Sequence, residues 1–181
     1  MKNNLLTLLL CCGLLTACGK TAKTTMEGFC SDLSAGRWQD AVTRFGSAQE
    51  LSQAMAEMEK DPQSKQVLDA LLGSSKCKVT GAQDNTVTLE MDTVNGRVVL
   101  ANVMTDSIGL ALASAFGGSD DKMMQEALMA KLVQGFTSPT APRTKTSVDV
   151  TLEQRDGHWV PAPGNDEFGS ALVGGMDKFG Q

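Results

Sequence analysis

The spacing of apolar residues changes along the chain, and this change constrains the fold more than any other feature of the sequence. Up to Gly73, apolar side chains recur every three or four residues, as on one face of an α-helix. Cys77 and Val79 alternate with polar residues, residues 82–85 predict a turn, and Val87, Leu89 and Met91 alternate with polar residues again, which is the pattern of a half-buried strand. Helices that precede strands joined by tight turns predict an α+β domain with an antiparallel sheet.

Four short helices are predicted before the sheet. Gly36 offers a stop for the first helix, because glycine readily adopts the left-handed conformation that ends helices. Asp61 and Pro62 predict the start of the fourth, since aspartate caps a helix and proline suits its first position. The expected ranges are 26–33, 38–45, 51–58 and 62–72.

Two hairpins are predicted in the second half. Asn95-Gly96 is a strong signal for a two-residue turn, because a type I′ turn needs positive φ at both central residues. Residues 97–104 are therefore expected to return as a strand. Asp156-Gly157 predicts the second turn, between a strand at 148–152 and a short strand beginning at His158. A helical insertion near residues 106–135 separates the hairpins.

The N-terminus has the pattern of a secretory signal. It carries one positive charge at Lys2, an almost unbroken apolar run at 5–15 and then small residues. This run is too short for a membrane span, which needs about twenty residues. Leu15-Thr16-Ala17-Cys18 resembles the lipobox of bacterial lipoproteins, which implies that residues 1–17 are a signal peptide and that Cys18 carries the lipid. The alternative is an ordinary signal peptide cut near Ala17.

The lipobox resemblance also implies a location. In Gram-negative lipoproteins, a residue other than Asp after the lipidated cysteine implies transport to the outer membrane, and Gly19 occupies this position. Several acyl chains, palmitate among them, anchor a protein stably because each buried methylene contributes roughly 0.8 kcal/mol. We therefore expect a lipid-anchored protein facing the periplasm or the cell surface, with a lipidated spacer at 18–25 and one α+β domain at 26–181.

The five cysteines predict one disulfide. Cys11 and Cys12 leave with the signal peptide and Cys18 takes the lipid, so Cys30 and Cys77 remain as a pair. In an oxidising compartment the default for such a pair is a disulfide. A redox or metal dithiol would normally show close spacing such as C-x-x-C. The bond would close a loop of 48 residues, for which the chain-entropy model gives roughly 4 kcal/mol.

Composition excludes some partners. Without residues 1–17 the chain has 164 residues, enough for one domain with a real core but too few for two. Its 15 basic and 21 acidic side chains give a formal charge of about −6, with no basic cluster. This argues against nucleic acid as a partner and against electrostatic attachment to anionic lipid. Attachment to the membrane is expected through Cys18.

Two segments resemble a known family of domains. Phe29-Cys30 lies on a predicted helix, Gly36-Arg37-Trp38 breaks the helical pattern, and residues 42–45 end a second helix in phenylalanine. Asp156 to Val160 resembles a closing strand of the form acidic-Gly-x-Trp-aliphatic. The chain is similar in these features to the cone-shaped nuclear transport factor 2-like, or cystatin-like, domains. The resemblance implies N-terminal helices packed on a curved antiparallel sheet, often around an apolar pocket, in a family that includes enzymes, carriers and interaction modules.

No catalytic, cofactor or metal motif is recognisable. His158 is the only histidine, and its candidate acids are Asp156 and Asp149, but no G-x-S-x-G turn or comparable nucleophile accompanies it. A histidine at the edge of a turn is usually a solvated surface residue. The ten methionines offer soft sulfur ligands for copper, but they fall on predicted core stripes without neighbouring histidines. They are interpreted as lining of the core or of a pocket.

The sequence therefore predicts a non-catalytic envelope lipoprotein that binds a protein partner or a small apolar ligand and uses no cofactor or metal. Two alternatives stay open. A carrier with a methionine-lined pocket would need a cavity of a few hundred Å³ open to solvent, whereas a protein partner would favour an exposed apolar patch. An enzyme would need polar groups that converge on His158.

Overall fold

The computed structural model describes residues 20–46, 61–117 and 121–180 of the chain, without the side chains of residues 108–117 and Asp121. The predicted lipidation site at Cys18 and the predicted helix at 51–58 lie outside these ranges.

The described residues form an α+β domain, as the sequence predicts. Its strands make one open antiparallel sheet of four strands, with helices before, within and after the strands. In chain order the elements are α1 (Ala22–Ser34), α2 (Trp38–Thr43), α3 (Pro62–Gly73), β1 (Lys76–Gln83), β2 (Thr86–Val94), α4 (Gly96–Gly117), α5 (Asp121–Thr137), β3 (Arg143–Arg155), β4 (His158–Pro161), α6 (Asp166–Leu172) and a 3₁₀ turn at Met176–Lys178.

The strands lie in the order β1-β2-β3-β4, so every neighbour in the sheet is also the next strand in the chain. Asp84 and Asp156 begin the two tight turns, and both adopt a positive φ, of 54° and 52°. The sequence predicts both turns, the first within residues 82–85 and the second at Asp156-Gly157. On the edge strand β1, the register shifts between Val79 and Gly81, and such a bulge bends an edge strand.

The prediction of a hairpin at Asn95-Gly96 is wrong. Asn95 instead caps α4: its Oδ1 accepts a hydrogen bond from the Val98 N–H at 3.1 Å, and its carbonyl accepts one from Val99 at 3.1 Å. Gly96 does not have the positive φ of a type I′ turn. It is required because a Cβ there would lie 2.3 Å from Cγ of Met176. Asn95 therefore caps the start of α4, and Gly96 allows the backbone there to lie close to the segment around Met176.

The helical insertion is longer than the predicted range of 106–135. It begins at Gly96 and ends at Thr137, so residues 97–104 form the first turns of α4 and not a returning strand. Val99 and Val103, one helical turn apart, are buried. They pack with Phe136 of α5 and Leu71 of α3. Burial on one helical face outweighs the strand propensity of the valines.

The sheet has one buried face and one face open to water. Val87, Leu89 and Met91 on β2 are fully buried, whereas the residues between them are partly exposed. The buried face packs against α1, α2 and α6 in the main core, and a second cluster joins α3, α4 and α5. Alternation of this kind is usual for an antiparallel sheet packed on one side.

A capping box fixes the start of helix α1, and a disulfide fixes the region near its end. At its start Thr21 and Thr24 form a capping box, in which each hydroxyl accepts a hydrogen bond from the other residue's backbone N–H. The helix begins at Ala22, so residues 22–25 of the predicted spacer are helical. Near its end the predicted disulfide between Cys30 and Cys77 joins it to β1, with 5.0 Å between the Cα atoms.

In the part of the chain that the structure describes, no helix has both the length and the apolar character needed to cross a membrane.

Candidate ligand-binding cavity

The helix-facing side of the sheet is apolar over most of its length and becomes polar at one end. Toward that end, the successive cross-strand pairs of β2 and β3 are Leu89–Val148, Met91–Thr146 and Thr93–Thr144. Alternation along each strand places all six side chains on the same face. The face that forms the core thus ends in three threonines.

A cavity of about 340 Å³ lies at this polar end, between the sheet and the segment that contains α6. Four hydroxyl-bearing residues line it, namely Thr93, Thr144, Thr146 and Ser170. Charged side chains contribute to its lining as well, and these are Arg97, Glu167 and Lys178. Its volume is at the lower end of the range for small-molecule sites, about 300 to 1,000 Å³.

The hydroxyl of Thr93 has no hydrogen-bond partner among the described residues, although the residue is only 2% exposed. Its neighbours differ: Thr144 Oγ1 accepts from Asn95 Nδ2 at 2.9 Å, and Ser170 Oγ donates to Asp177 at 2.8 Å. Among the described residues Thr25 Oγ1, and not Thr93 Oγ1, is the fully enclosed side-chain oxygen without a partner, so the Thr93 oxygen reaches the water of the cavity. The Thr93 hydroxyl is therefore available for a hydrogen bond to a molecule that enters the cavity.

Glycines bring the two backbone segments beside the cavity together. Gly174 has a φ of +59°, and a Cβ at this position would lie 2.0 Å from the carbonyl oxygen of Val94. Its own carbonyl accepts a hydrogen bond from the Gly96 N–H at 2.9 Å. This contact holds the start of α4 against the end of α6, and so fixes the position of Arg97.

The charged residues of the cavity give it a net charge of about +1. The side chain of Arg97 packs on Gly175, with its Cδ 3.4 Å from the point that a Cβ on Gly175 would occupy. Within the described ranges, Arg97 and Lys178 pair with no carboxylate, and Glu167 pairs with no cation. Arg97 also lies in the first turn of α4, where the helix dipole favours negative charge.

A second polar cluster, at Asp32, serves the fold. The carboxylate of Asp32 is buried, and it accepts hydrogen bonds from Arg37 at 2.6 Å and from Arg44 at 2.7 Å. These bonds, that from Arg37 foremost, hold the pKa of Asp32 below its ordinary value. Arg37 follows the break between α1 and α2, and Arg44 follows α2. These hydrogen bonds therefore connect the end of α1 to the residues on either side of α2.

His158 is exposed and lies at the start of β4, far along the sheet from the cavity. Its ring packs against Gly46, where a Cβ would come within 2.8 Å of its Cγ. In the described part of the chain neither Asp156 nor Asp149 hydrogen-bonds to it, and Asp149 accepts from Thr88 at 2.7 Å instead. The structure therefore does not bring the predicted acids to this histidine.

None of the described methionines lines the cavity at Thr93. Met26 and Met91 are fully buried in the main core, and Met176 packs in the second cluster. Met104 and Met123, on α4 and α5, are more than half exposed. Within the described residues, no three His, Cys, Asp or Glu side chains are close enough to hold a metal ion.

The threonines of the cavity are the residues that the sequence did not single out. Thr93 lies between Met91 and Val94 near the end of β2, and Thr144 and Thr146 precede Val148 on β3, in positions where threonine is common in any strand. Only the register, which pairs Thr93 with Thr144, shows that they converge.

The chain matches no protein-family model, no curated protein and no solved structure. The resemblances to lipoproteins and to the nuclear transport factor 2-like domains therefore depend on the residues alone.

Proposed function

We propose that this chain is a lipid-anchored lipoprotein of the bacterial outer membrane, and that its domain is a non-catalytic binding module with its ligand site at the cavity beside Thr93. The anchor is the lipid on Cys18. The observation that carries the binding function is the hydroxyl of the buried residue Thr93, which borders a cavity and forms no hydrogen bond within the described residues.

The connection between anchor and domain is short. Helix α1 begins at Ala22, and the backbone carbonyl of Lys20 already accepts a hydrogen bond from the indole of Trp159 at 2.6 Å. Lys20 is two residues after Cys18, and an extended chain covers at most about 3.6 Å per residue. A lipid on Cys18 would therefore hold the β3–β4 end of the domain within roughly 10 Å of its attachment point.

The cavity lies at the other end of β3. Trp159 pairs with Gln154, whereas Thr146 and Thr144 line the cavity. Eight residues of strand, from Thr146 to Gln154, span roughly 26 Å at about 3.3 Å per residue. The ligand site is thus well separated from the anchor, which suits a module that binds a molecule other than its own lipid.

The chemistry of the cavity supports binding more than catalysis. The described residues of its lining combine hydroxyls with Arg97, Lys178 and Glu167, and among them is no histidine, cysteine or pair of carboxylates. A nucleophile with an adjacent base is what covalent catalysis needs, and general acid–base catalysis needs a group whose pKa lies near the working pH.

The finer fold that we propose is a cystatin-like cone. It is supported by the packing of α1 and α2 on one face of the sheet, by the break at Gly36, which has a φ of +74°, and by Trp159 on the last strand. The long α4–α5 pair between β2 and β3 departs from the usual order of that family.

The anchor is tested by labelling cells that express the full chain with a radioactive fatty acid. We expect label in the wild type, no label in Cys18→Ala, and loss of the Cys18→Ala protein from the membrane fraction. A double variant, Cys30→Ala with Cys77→Ala, is the matched control, since it removes two other cysteines and should keep the label. Label that persists in Cys18→Ala would overturn the proposed anchor.

A further inference from the structure

We infer that the ligand of the cavity is a small water-soluble monocarboxylate that also carries hydrogen-bonding groups. This inference rests on the proposed binding function and names its ligand class. It is carried by the exposed cations Arg97 and Lys178, which form no ion pair within the described residues, and by the Thr93 hydroxyl, which has no hydrogen bond to them; all three side chains line one cavity.

Arg97 and Lys178 favour an anionic ligand in the cavity. A guanidinium presents paired N–H donors that match a carboxylate, and charge-assisted bonds of this kind are roughly twice as strong as neutral ones. Arg97 is exposed and its side chain runs past Gly175 at the edge of the cavity, where an anion can reach the guanidinium. The start of α4 adds its positive end to the same region.

Glu167 limits the charge of that anion. Among the lining residues, one carboxylate against two cations leaves about one positive charge, and Asp177, which accepts the hydrogen bond of Ser170 at 2.8 Å, adds a negative charge beside the cavity. The cavity therefore accommodates at most the charge of a monocarboxylate. A phosphate monoester carries about −1.5 to −2 at neutral pH, so it would exceed the available positive charge and would be repelled by Glu167. The cavity therefore favours a carboxylate over a phosphate.

The hydroxyls indicate a polar body for the ligand. Thr93 offers one free donor and acceptor, and Thr146 faces the same cavity from β3. A volume of about 340 Å³ corresponds to roughly eleven water molecules at about 30 Å³ each. A ligand of about ten non-hydrogen atoms with hydroxyl or amide groups fits both the size and the lining.

The test is a titration of the full chain with three matched pairs of probes. The carboxylates are lactate, N-acetylalanine and gluconate, and each is compared with its neutral amide and with inorganic phosphate. Backbone amide signals of Thr93, Arg97 and Gly175 report binding by nuclear magnetic resonance. We expect at least one carboxylate to shift these signals with an affinity about tenfold or more above that of its amide and of phosphate.

Variants test the assigned contacts. Arg97→Ala and Lys178→Ala should each weaken carboxylate binding by about tenfold, because each removes a charge-assisted bond, and Glu167→Gln should strengthen it several-fold. Lys145→Ala is the matched charge control, since Lys145 is exposed on β3 between two cavity threonines but on the opposite face. It should leave the affinity unchanged.

Two variants that each remove one hydroxyl, Thr93→Val and Thr25→Val, complete the test. Thr93→Val should weaken binding by about fivefold without loss of fold, since valine has nearly the same shape. Thr25→Val is its control, because the Thr25 hydroxyl is buried without a partner and Thr25 does not line the cavity. Equal effects of the two variants would show that Thr93 does not contact the ligand.

The outcomes separate the two proposals. Binding of the neutral amides as tightly as the carboxylates would overturn the ligand class and leave the binding module standing. Shifts confined to residues outside the cavity, or no shift with any probe at 10 mM, a concentration about ten times a weak affinity of 1 mM, would also reject the monocarboxylate assignment. Fatty acid labelling of Cys18 tests the anchor independently of either result.

Discussion

The indole N–H of Trp159 donates a hydrogen bond of 2.6 Å to the backbone carbonyl of Lys20, across 139 residues of sequence. It joins the last strand of the sheet to the residue just before the capping box of α1. The bond fixes where the chain leaves the domain, and hence which end of the sheet a lipid on Cys18 would hold near a membrane.

Replacement of Trp159 by phenylalanine should loosen this N-terminal segment. The variant loses one hydrogen bond, worth about 1 kcal/mol, and we expect faster tryptic cleavage after Lys20 or Lys23 with little change in global stability. Trp38→Phe is the control, because Trp38 also loses an indole bond, to Asp69 at 2.8 Å, but lies away from Lys20. Equal cleavage rates in the two variants would contradict the proposed role of the Trp159 bond.

Loss of the Cys30–Cys77 disulfide should lower the free energy of unfolding by about 2–4 kcal/mol, because the bond restricts a long loop in the unfolded chain. Urea unfolding of the full chain with and without reductant measures the difference. The double variant with alanine at both positions should behave like the reduced protein and should not respond to reductant. Intact mass should rise by about 2 Da on reduction, for the two hydrogens that a single disulfide takes up.

Stability should fall in acid because of Asp32. Arg37 and Arg44 depress the pKa of its carboxyl in the folded state, so the folded protein holds the proton less tightly than the unfolded chain does. The contribution is complete above the unfolded pKa of about 3.9 and is lost as pH falls through the lower, folded pKa.

Asp32→Asn should therefore destabilise the protein at pH 7 and remove part of the acid sensitivity below about pH 4. Asp40→Asn is the control: Asp40 is exposed and pairs with Arg37 at 3.3 Å, so its loss should change the melting temperature little at any pH. Melting curves between pH 2.5 and pH 7 measure both variants. A parallel acid response in wild type and Asp32→Asn would count against the assignment.

Gly174→Ala should destabilise the domain by about 3 kcal/mol or more, since it combines an unfavourable φ with a clash at 2.0 Å against the Val94 carbonyl oxygen. Gly157→Ala is the control for the φ contribution alone, because Gly157 has a φ of +78° but no atom within 4 Å of a Cβ. It should cost only about 1 kcal/mol. Similar losses in both variants would show that the close approach at Gly174 is unimportant.

Local signals in the sequence predicted the elements whose conformation their own residues decide. Asp61 followed by Pro62 begins α3, with the Asp61 side chain accepting from the Gln63 N–H, because a cap and a proline act within one turn of helix. The turn at Asp156-Gly157 forms as predicted, since it needs only two residues that tolerate positive φ.

Asn95-Gly96 shows where local signals fail. The same dipeptide suits a turn and a helix start, and the choice between them depends on Gly174 and Met176, about 80 residues later in the chain. No short stretch of sequence around Asn95 contains this information. The position of the cavity is equally non-local, because it depends on the pairing of Thr93 with Thr144 across the whole helical insertion.

The sequence by itself determined the α+β class, since hydrophobic period distinguishes a helix from a strand. It also predicted the Cys30–Cys77 disulfide, through the expectation that Cys11 and Cys12 leave with a signal peptide and that Cys18 carries a lipid. The segment at 15–18 that resembles a lipobox predicts the anchor. Only the tertiary structure decided that residues 96–117 form one helix and that three threonines meet at a cavity that Arg97 and Lys178 also line. Contacts between distant residues decide both, and spacing along the chain does not encode them.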